Sequence, residues 1–370
     1  MINNLPNGWK LENISDIFKL KQGNHLSMND LEEDGYFVYG ANGIIGKYHK
    51  YMYEDSKVLI TCRGATCGTI NISKPKSWIT GNAIALTEKK DYIDENYIAY
   101  FLRKDKLQSV ISGSAQSQIT ATNLSKLKIP IPPLQQQEKI VKVLDLTSNL
   151  IEKQKELLEK YDLFLKSKFI EMFGDPISNP MGWEIVKCID VADCIVPGRD
   201  KPKSFTGNIP WITTADLRDK GIISKSKENI GLSQNEIKEV RAKLIPKNSV
   251  IFTCVGDLGI CSITTENIIM NQQLHSFQCK ENVNNIFLMF NITMQKSYMY
   301  KMATSTTVPY MNKTTCNNIP TILPPLELQN KFASIVEKIE IIKEKENQKL
   351  KQLENLHNSM MNKAFKGDIK

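Results

Sequence analysis

Cysteine and histidine, the residues that most often act as nucleophiles or metal ligands, show no catalytic spacing in this chain. Six of its eight cysteines fall into three close pairs: Cys62 and Cys67, Cys188 and Cys194, Cys254 and Cys261. None has the C-x-x-C spacing of a redox or zinc site, and only four histidines are present to complete one. We therefore expect reduced, mostly buried thiols and no metal site.

Nucleotide-binding and group-transfer motifs are absent from the sequence as well. The histidines have no recurrent spacing to a Ser, Cys or Asp partner, so no catalytic triad is predicted. Gly40, Gly43 and Gly46 have the wrong spacing for a dinucleotide fingerprint, and no G-x-x-x-x-G-K-[ST] loop occurs. Asn179-Pro180 lacks the Pro-aromatic pair of adenine methyltransferases and indicates a linker turn. These absences favour a binding protein.

The chain instead repeats itself. Val58 to Gly64 reads Val-Leu-Ile-Thr-Cys-Arg-Gly and recurs as Val-Ile-Phe-Thr-Cys-Val-Gly at Val250 to Gly256. Pro-Pro-Leu at Pro132 to Leu134 recurs at Pro324 to Leu326, and both recurrences are separated by 192 residues. The repeating unit is therefore a globular lobe followed by a long helical stretch.

Each helical stretch carries the apolar seam of a coiled coil. Apolar positions alternate four and three residues apart from Ile140 to Met172 and again from Phe332 to Met360. Helices of about 35 to 40 residues would be roughly 55 Å long, too long for a small lobe to cover. We predict that they pair as an antiparallel coiled coil. Polar seam positions at Thr147, Gln154 and Glu346 either set its register or are tolerated defects.

The lobes are predicted to mix strands and helices. Short β-branched runs such as Val58–Thr61 and Val250–Thr253 alternate with Gly, Asn and Asp turns, whereas Ile93 to Leu102 and Ile286 to Gln295 have helical character. Proline-rich segments stop the preceding element before each long helix. The predicted fold class is α+β, with two similar lobes joined and spaced by two long helices that form an antiparallel coiled coil.

The composition indicates where the protein is found and what kind of partner it binds. The 370 residues suffice for two domains, and a net charge of +8 with a pI near 8.9 favours a polyanionic partner. No apolar run reaches the roughly 18 residues of a membrane span. The N-terminus has no signal-peptide pattern, so we expect a cytoplasmic protein that does not associate with membranes.

Ordered motifs along the whole chain resemble the specificity subunits of type I restriction-modification systems. The resemblance rests on the Gly-Trp opener, on Gly40–Gly46, Val58–Gly68 and Ile129–Gln137, and on the long helix that follows. It implies two target recognition domains, each reading one half of a split DNA sequence, with helices that set the gap and dock methyltransferase subunits. The subunit itself would be non-catalytic. Leu326–Gln329 departs from the family, whose members often carry a Glu-Gln pair there.

The resemblance also implies a division of the chain and a set of partners. Target recognition domains are expected at residues 1–134 and 176–325, and spacer helices at residues 135–175 and 326–370. The implied partners are double-stranded DNA with a bipartite target, two methyltransferase (M) subunits and, through the complex, restriction/translocase (R) subunits. No cofactor is expected on this chain, because S-adenosylmethionine and ATP would bind the partner subunits.

Base-reading residues are expected on the polar turns of the lobes. Arg pairs with guanine and Asn or Gln with adenine in the major groove, while Lys contacts phosphates. The candidates are Asn42, Lys47, Arg63, Asn82, Gln116 and Gln118 in the first lobe and Arg199, Lys201, Lys203, Asn271, Gln272 and Tyr310 in the second. The alternative for each is a solvated turn or backbone cap. Asn82 and its predicted counterpart Asn271 occur at matched places in the two halves, which favours a role in shaping the fold over a role in reading bases.

The two lobes differ in length in the segment that is expected to recognise DNA. Trp9 to Cys62 spans 53 residues, whereas Trp183 to Cys254 spans 71, so the two half-sites should differ as well.

The sequence is also compatible with two other classes of protein. A coiled-coil adaptor would bind proteins through its lobes and would lack salt-sensitive, sequence-selective duplex binding. An enzyme would use Cys62 with a spatially adjacent histidine.

Overall fold

The computed structural model describes residues 5–105, 107–113, 116–198, 200–304 and 307–369. The chain divides into two compact units. Unit 1 comprises Met1–Lys155 and Gln348–Lys370, and unit 2 comprises Glu156–Asn347. In the described part of the chain, no helix has the length and apolar character that crossing a membrane requires.

Unit 1 is an α+β structure. Its strands are β1 Lys10–Asn13, β2 Lys19–Gln22, β3 Tyr36–Gly40, β4 Gly43–Tyr48, β5 Val58–Thr61, β6 Ile70–Ile72, β7 Trp78–Ile79, β8 Ala83–Thr87 and β9 Lys128–Ile131. Its helices are α1 Ile14–Ile17, α2 Glu95–Asp105, α3 Ala121–Leu124 and the first part of α4 Leu134–Phe173, with a 3-10 turn at Met28–Asp30. The strands form sheets ordered β2-β8-β5-β6, β4-β3-β7 and β1-β9.

Unit 2 repeats this plan with additions. Its strands are β10 Ile185–Lys187, β11 Ala192–Ile195, β12 Ile209–Ile212, β13 Gly221–Ile223, β14 Gly231–Leu232, β15 Val250–Thr253, β16 Cys261–Thr264, β17 Ile269–Met270, β18 Leu274–Cys279 and β19 Pro320–Ile322. Its helices are α5 Cys188–Val191, α6 Gln234–Glu239, α7 Asn285–Met294, α8 Lys296–Met302, α9 Lys313–Asn317 and part of α10 Leu326–Lys366, with a 3-10 turn at Thr214–Asp216. The sheet order β11-β18-β15-β16-β13 matches the four-stranded sheet of unit 1 and adds β13.

The start of each long helix is fixed by a buried glutamine. Gln137 has no exposed surface. Its Oε1 accepts from the backbone N–H of Asp94 at 2.9 Å, and its Nε2 donates to the carbonyls of Tyr92 at 2.9 Å and Pro132 at 2.8 Å. One side chain thus joins the proline segment to the start of α2.

Gln329 makes the same clamp in unit 2. It is also fully buried, accepts from the N–H of Asn284 at 2.9 Å, and donates to the carbonyls of Asn282 at 3.4 Å and Pro324 at 2.8 Å. Gln137 and Gln329 are 192 residues apart. The recurrent glutamine after Pro-Pro-Leu therefore has a structural role.

Within unit 1 the two long helices pack against each other in opposite directions. Ile140 and Leu144 near the start of α4 share a core with Met361 and Ala364 near the end of α10. The seam residue Thr147 is buried, and its Oγ1 lies 2.7 Å from His357 Nδ1. A polar pair in an apolar seam, with Thr147 buried and His357 half-buried, disfavours other registers, which supports the register-setting interpretation of Thr147.

Within unit 2 the remaining parts of the two helices also run antiparallel. The Phe169 ring lies edge-on to Phe332, with centroids 5.4 Å apart. Further along the pair, Lys343 Nζ of α10 contacts Asp162 Oδ1 of α4 at 2.7 Å. It also contacts Glu340 Oε1 of its own helix at 2.7 Å. The predicted pair of long antiparallel helices is confirmed.

Candidate nucleic-acid interface

Three segments of unit 1 meet at the residue that follows β5. Cys62 is buried, its N–H donates to the carbonyl of Asn82 at 2.9 Å, and its carbonyl accepts from the N–H of Ile119 at 2.9 Å. Its thiol lies 3.6 Å from the carbonyl of Gly81. The end of β5, the turn before β8 and the segment before α3 are thus held together by backbone hydrogen bonds.

Polar candidates from distant parts of the sequence converge on this junction. Arg63 and Gln118 form an antiparallel bridge. The hydroxyls of Thr61 and Thr66 both donate to the carbonyl of Ala41, which places the turn bearing Asn42 beside the same segment. The junction therefore gathers Asn42, Arg63, Asn82 and Gln118 on hydrogen-bonded neighbouring segments, and Gln116 lies two residues before Gln118 on an exposed stretch.

Lys47 occupies a different place from these residues. It lies on β4 opposite Phe37, five residues after Asn42 of the turn, and its Nζ pairs with Asp34 Oδ1 at 3.3 Å. Exposed ion pairs of this kind contribute little to stability. Lys47 is therefore on the flank of the hairpin, separate from the junction around Cys62.

Unit 2 builds the same junction around Cys254. The N–H of Cys254 donates to the carbonyl of Gln273 at 2.9 Å, and its carbonyl accepts from the N–H of Met311 at 2.9 Å. Val255 and Tyr310 form the antiparallel bridge that Arg63 and Gln118 form in unit 1. Tyr310 leaves 44% of its surface exposed. Both bridge positions are shifted by 192 residues, the period of the sequence repeat.

The remaining candidates of unit 2 lie on two loops next to this junction. Gln272 Nε2 donates to the carbonyl of Gly198 at 3.1 Å, and Asn271 Nδ2 donates to Gln273 Oε1 at 3.2 Å. Lys201 and Lys203 are exposed on the loop that follows Gly198. Arg199 lies outside the described residues. The hydrogen bond of Gln272 thus joins the turn that carries Asn271 and Gln272 to the start of this loop.

A carboxylate binds the far end of the loop that carries Lys201 and Lys203. Glu236 on α6 accepts from Ser204 Oγ and from the N–H of Thr206 at 3.1 Å. Hydrogen bonds to its carboxylate, that of Ser204 above all, lower the pKa of Glu236 to about 2. The carboxylate therefore stays ionised at neutral pH, and the loop is tied to the unit.

The predicted pairing of Asn82 with Asn271 is wrong. Cys62 donates to Asn82, but Cys254 donates to Gln273, so Gln273 is the structural counterpart of Asn82. The N–H of Asn271 donates to the carbonyl of Ile212 at 2.9 Å, as that of Thr80 does to Tyr39 at 2.9 Å. The repeat period in this turn is 191 rather than 192 residues, and the two asparagines, which had suggested equivalence, are two positions out of register.

The threonine that precedes each junction cysteine is a further site residue, which the sequence did not predict. Thr61 Oγ1 donates to the Ala41 carbonyl, whereas Thr253 Oγ1 donates to the Asp257 carbonyl within its own loop. The Thr-Cys pair recurs in the sequence repeat, but the carbonyls that accept from the two threonine hydroxyls cannot be read from the sequence. Gly64 and Gly256 complete both junctions at φ +89° and +78°, left-handed conformations that favour glycine.

The two junction cysteines are both buried, but their thiols differ. Burial raises the pKa of the Cys62 thiol, which disfavours the thiolate that nucleophilic attack requires. A hydrogen bond with the Cys316 thiol lowers the pKa of Cys254. Among the described residues no group of three His, Cys, Asp or Glu side chains has the arrangement of a metal site. The surface thus offers hydrogen bonds and positive charge, the means by which proteins bind nucleic acid.

Comparison with known proteins identifies the family. Residues 6–160 and 180–355 each match the model of the type I restriction modification DNA specificity domain. The chain belongs to this family and carries two copies of its domain. The predicted family is therefore confirmed, as is the prediction of two similar lobes.

Named relatives cover nearly the whole chain. The MjaVIII type I restriction enzyme specificity subunit of Methanocaldococcus jannaschii is 25% identical, across 99% of this chain and 94% of its own. The StySPI specificity subunit of Salmonella potsdam is 22% identical, across 99% and 90%. These names agree with the prediction that this chain is the specificity component and not the catalytic one.

Solved structures share the fold. The S subunit of a type I restriction-modification system from M. genitalium aligns over 99% of this chain and 97% of its own, with a TM-score of 0.61 and 15% identity. A chain from a type I R-M system studied for complex assembly and conformational transition aligns over 99% of both chains, with a TM-score of 0.57 and 17% identity.

Proposed function

We propose that this chain selects the DNA target of a type I restriction-modification complex and that each unit reads one half of a split sequence. The observation that carries the proposal is the junction built twice with the same backbone hydrogen bonds and different side chains. Arg63 and Gln118 in unit 1 stand where Val255 and Tyr310 stand in unit 2. A repeated frame with divergent polar positions suits two readers of different half-sites.

The partners follow from this role. The chain would assemble with two methyltransferase subunits, one for each copy of the domain, and with restriction/translocase subunits through the complex. S-adenosylmethionine and ATP would bind to those partners, which would act on DNA in the cytoplasm. The paired helices would set the gap between the half-sites. The net charge of +8 favours association with the duplex.

Methylome sequencing tests the proposal. The chain is expressed with its methyltransferase partner in a host without DNA methylation, and a control strain omits only this chain. We expect a split motif that depends on the chain. Exchange of residues 10–128 for those of a relative should change one half of the motif, and exchange of residues 184–318 the other. A soluble, assembled complex without chain-dependent methylation would contradict the proposal and favour the protein-binding adaptor.

A further inference from the structure

The β3–β4 hairpin of unit 1 exposes two adjacent isoleucines at its tip. Ile44 and Ile45 keep 47% and 37% of their surface exposed, and neither belongs to the core clusters that the described residues of unit 1 form. Asn42 is exposed in the turn beside them. Neighbouring apolar side chains on a polar surface favour contact with a ligand that removes them from water.

The hairpin tip is held in one position. The carbonyl of Ala41 in the turn accepts hydrogen bonds from Thr61 and Thr66, on either side of the Cys62 junction. Val38 pairs with Gly46, but its neighbour Tyr39 pairs with Ile44, so Ile45 is the extra residue of a β-bulge. Bulges redirect side chains and occur next to functional sites. The tip is therefore rigid and adjacent to Arg63.

The two isoleucines have different surroundings. A Cβ atom at Gly40 would lie 2.8 Å from Ile45 Cγ2, so the Ile45 side chain rests on the hairpin's own backbone. Ile44 is the more exposed of the two. Ile45 therefore supports the tip, and Ile44 is the side chain available to a ligand.

Unit 2 has a different structure at the corresponding place. Strand β12 matches β3, because it pairs in parallel with β17 as β3 pairs with β7. After β12, however, the chain continues through a 3-10 turn to β13, which pairs with β16 in another sheet. Within the described residues, the neighbour of β12 on its other side is β14, which is not the next strand in sequence. In the described part of the chain, unit 2 therefore has no counterpart of the β3–β4 hairpin.

We propose that the β3–β4 hairpin enters the major groove at the unit 1 half-site, where Ile44 recognises a thymine through its C5-methyl group and Asn42 contacts a neighbouring base edge. This inference rests on the proposed function. A two-stranded ribbon fits the major groove, about 12 Å wide, and not the minor groove, about 6 Å wide. The thymine methyl is the apolar group that the major groove offers. Arg63, on the segment that holds the turn, adds positive charge that suits the anionic duplex.

Deoxyuridine substitution tests the contact, because deoxyuridine differs from thymidine only by the missing methyl group. The complex of this chain with its methyltransferase partner is titrated with duplexes in which each thymine of the unit 1 half-site is replaced in turn. We expect one position at which the replacement weakens binding about fourfold, the effect of one buried methyl group. Ile44→Ala should weaken binding to the unmodified duplex by a similar factor and be insensitive to the replacement.

Two controls make the outcome decisive. Ile72→Ala removes another exposed isoleucine of unit 1, on β6, and should keep the full response to deoxyuridine. Thermal melting of Ile44→Ala shows whether the unit stays folded. A half-site without thymine on either strand, or equal responses of the wild-type chain and Ile44→Ala at every thymine, would overturn the inference. Neither result would affect the proposed function, which fails only if no methylation depends on the chain.

Discussion

At the scale of single residues, the bridge partners at the two junctions distinguish the units. Arg63 and Gln118 in unit 1 become Val255 and Tyr310 in unit 2, although the backbone hydrogen bonds around them are the same. An arginine that forms a forked pair with guanine cannot be replaced by valine without losing that base. We therefore propose that the side chains that vary on this constant frame specify sequence.

Arg63→Ala tests whether this arginine reads a base. Loss of a bidentate contact to guanine should weaken binding of the assembled complex by about 1 to 3 kcal/mol and relax the preference at one base pair of the unit 1 half-site. Competition among duplexes that vary each position measures both effects. Arg63→Lys is the matched variant, since it keeps the charge but not the planar fork. A uniform loss across all sequences would instead identify Arg63 as a phosphate contact.

His275 predicts a pH dependence of stability. It is 2% exposed on β18, its ring lies 5.1 Å from that of Phe252 and 4.8 Å from that of Phe277, and its Nε2 lies 3.3 Å from Cys194 Sγ. Burial lowers its pKa from 6.5 to about 4. Above pH 6.5 the ring is neutral in both the folded and the unfolded chain. Between pH 6.5 and about 4 only the unfolded chain binds the proton, so acidification destabilises the fold.

The expected loss of unfolding free energy across this pH range is about 3 kcal/mol, at 1.36 kcal/mol per pKa unit. Denaturant titrations at pH 7.5 and at pH 5 should show part of that loss in the wild-type chain, and His275→Phe should reduce it. His25→Phe at an exposed position is the control and should leave the pH dependence unchanged. Equal pH dependence in all three proteins would refute the assignment to His275.

At the scale of elements, the two glutamine clamps connect the lobes to the long helices. Gln137→Ala should lower the free energy of unfolding by at least about 2 kcal/mol, because it leaves the Asp94 N–H and the Tyr92 and Pro132 carbonyls without their partner. Gln135→Ala, two residues away and exposed, should change stability little. Chemical denaturation of both variants makes the comparison. Equal stability of the two would show that water replaces the clamp.

The elements were more predictable from sequence than the surface they build. Heptad spacing predicts α4 and α10, and β-branched runs predict β5 and β15, because periodicity and side-chain shape act locally. The junctions depend on hydrogen bonds between residues far apart in sequence, such as Thr61 with Ala41. Arg63 and Gln118 were therefore predictable as polar candidates, but their bridge was not, nor was the separate position of Lys47.

At the scale of the whole molecule, each long helix is divided between the two compact units. Residues 134–155 of α4 belong to unit 1 and the rest of that helix to unit 2, and α10 is divided in the opposite order. Each unit is completed by helical segments from both halves of the sequence. The sequence repeat is thus not the folding unit, because each lobe gains core residues from a helix that belongs to the other repeat.

This division provides the place to test whether the helices set the gap in the target. Insertion of seven residues after Lys155 and seven more after Asn347 preserves the heptad seam and adds about 10 Å of helix. At about 3.4 Å per base pair the gap should lengthen by about three base pairs while both half-sites stay the same. Methylome sequencing with the insertion variant reads the motif directly. An insertion of seven residues in α4 alone disrupts the pairing of the two helices and serves as the destabilised control. A stable double insertion with an unchanged gap would refute the idea that helix length sets the spacing.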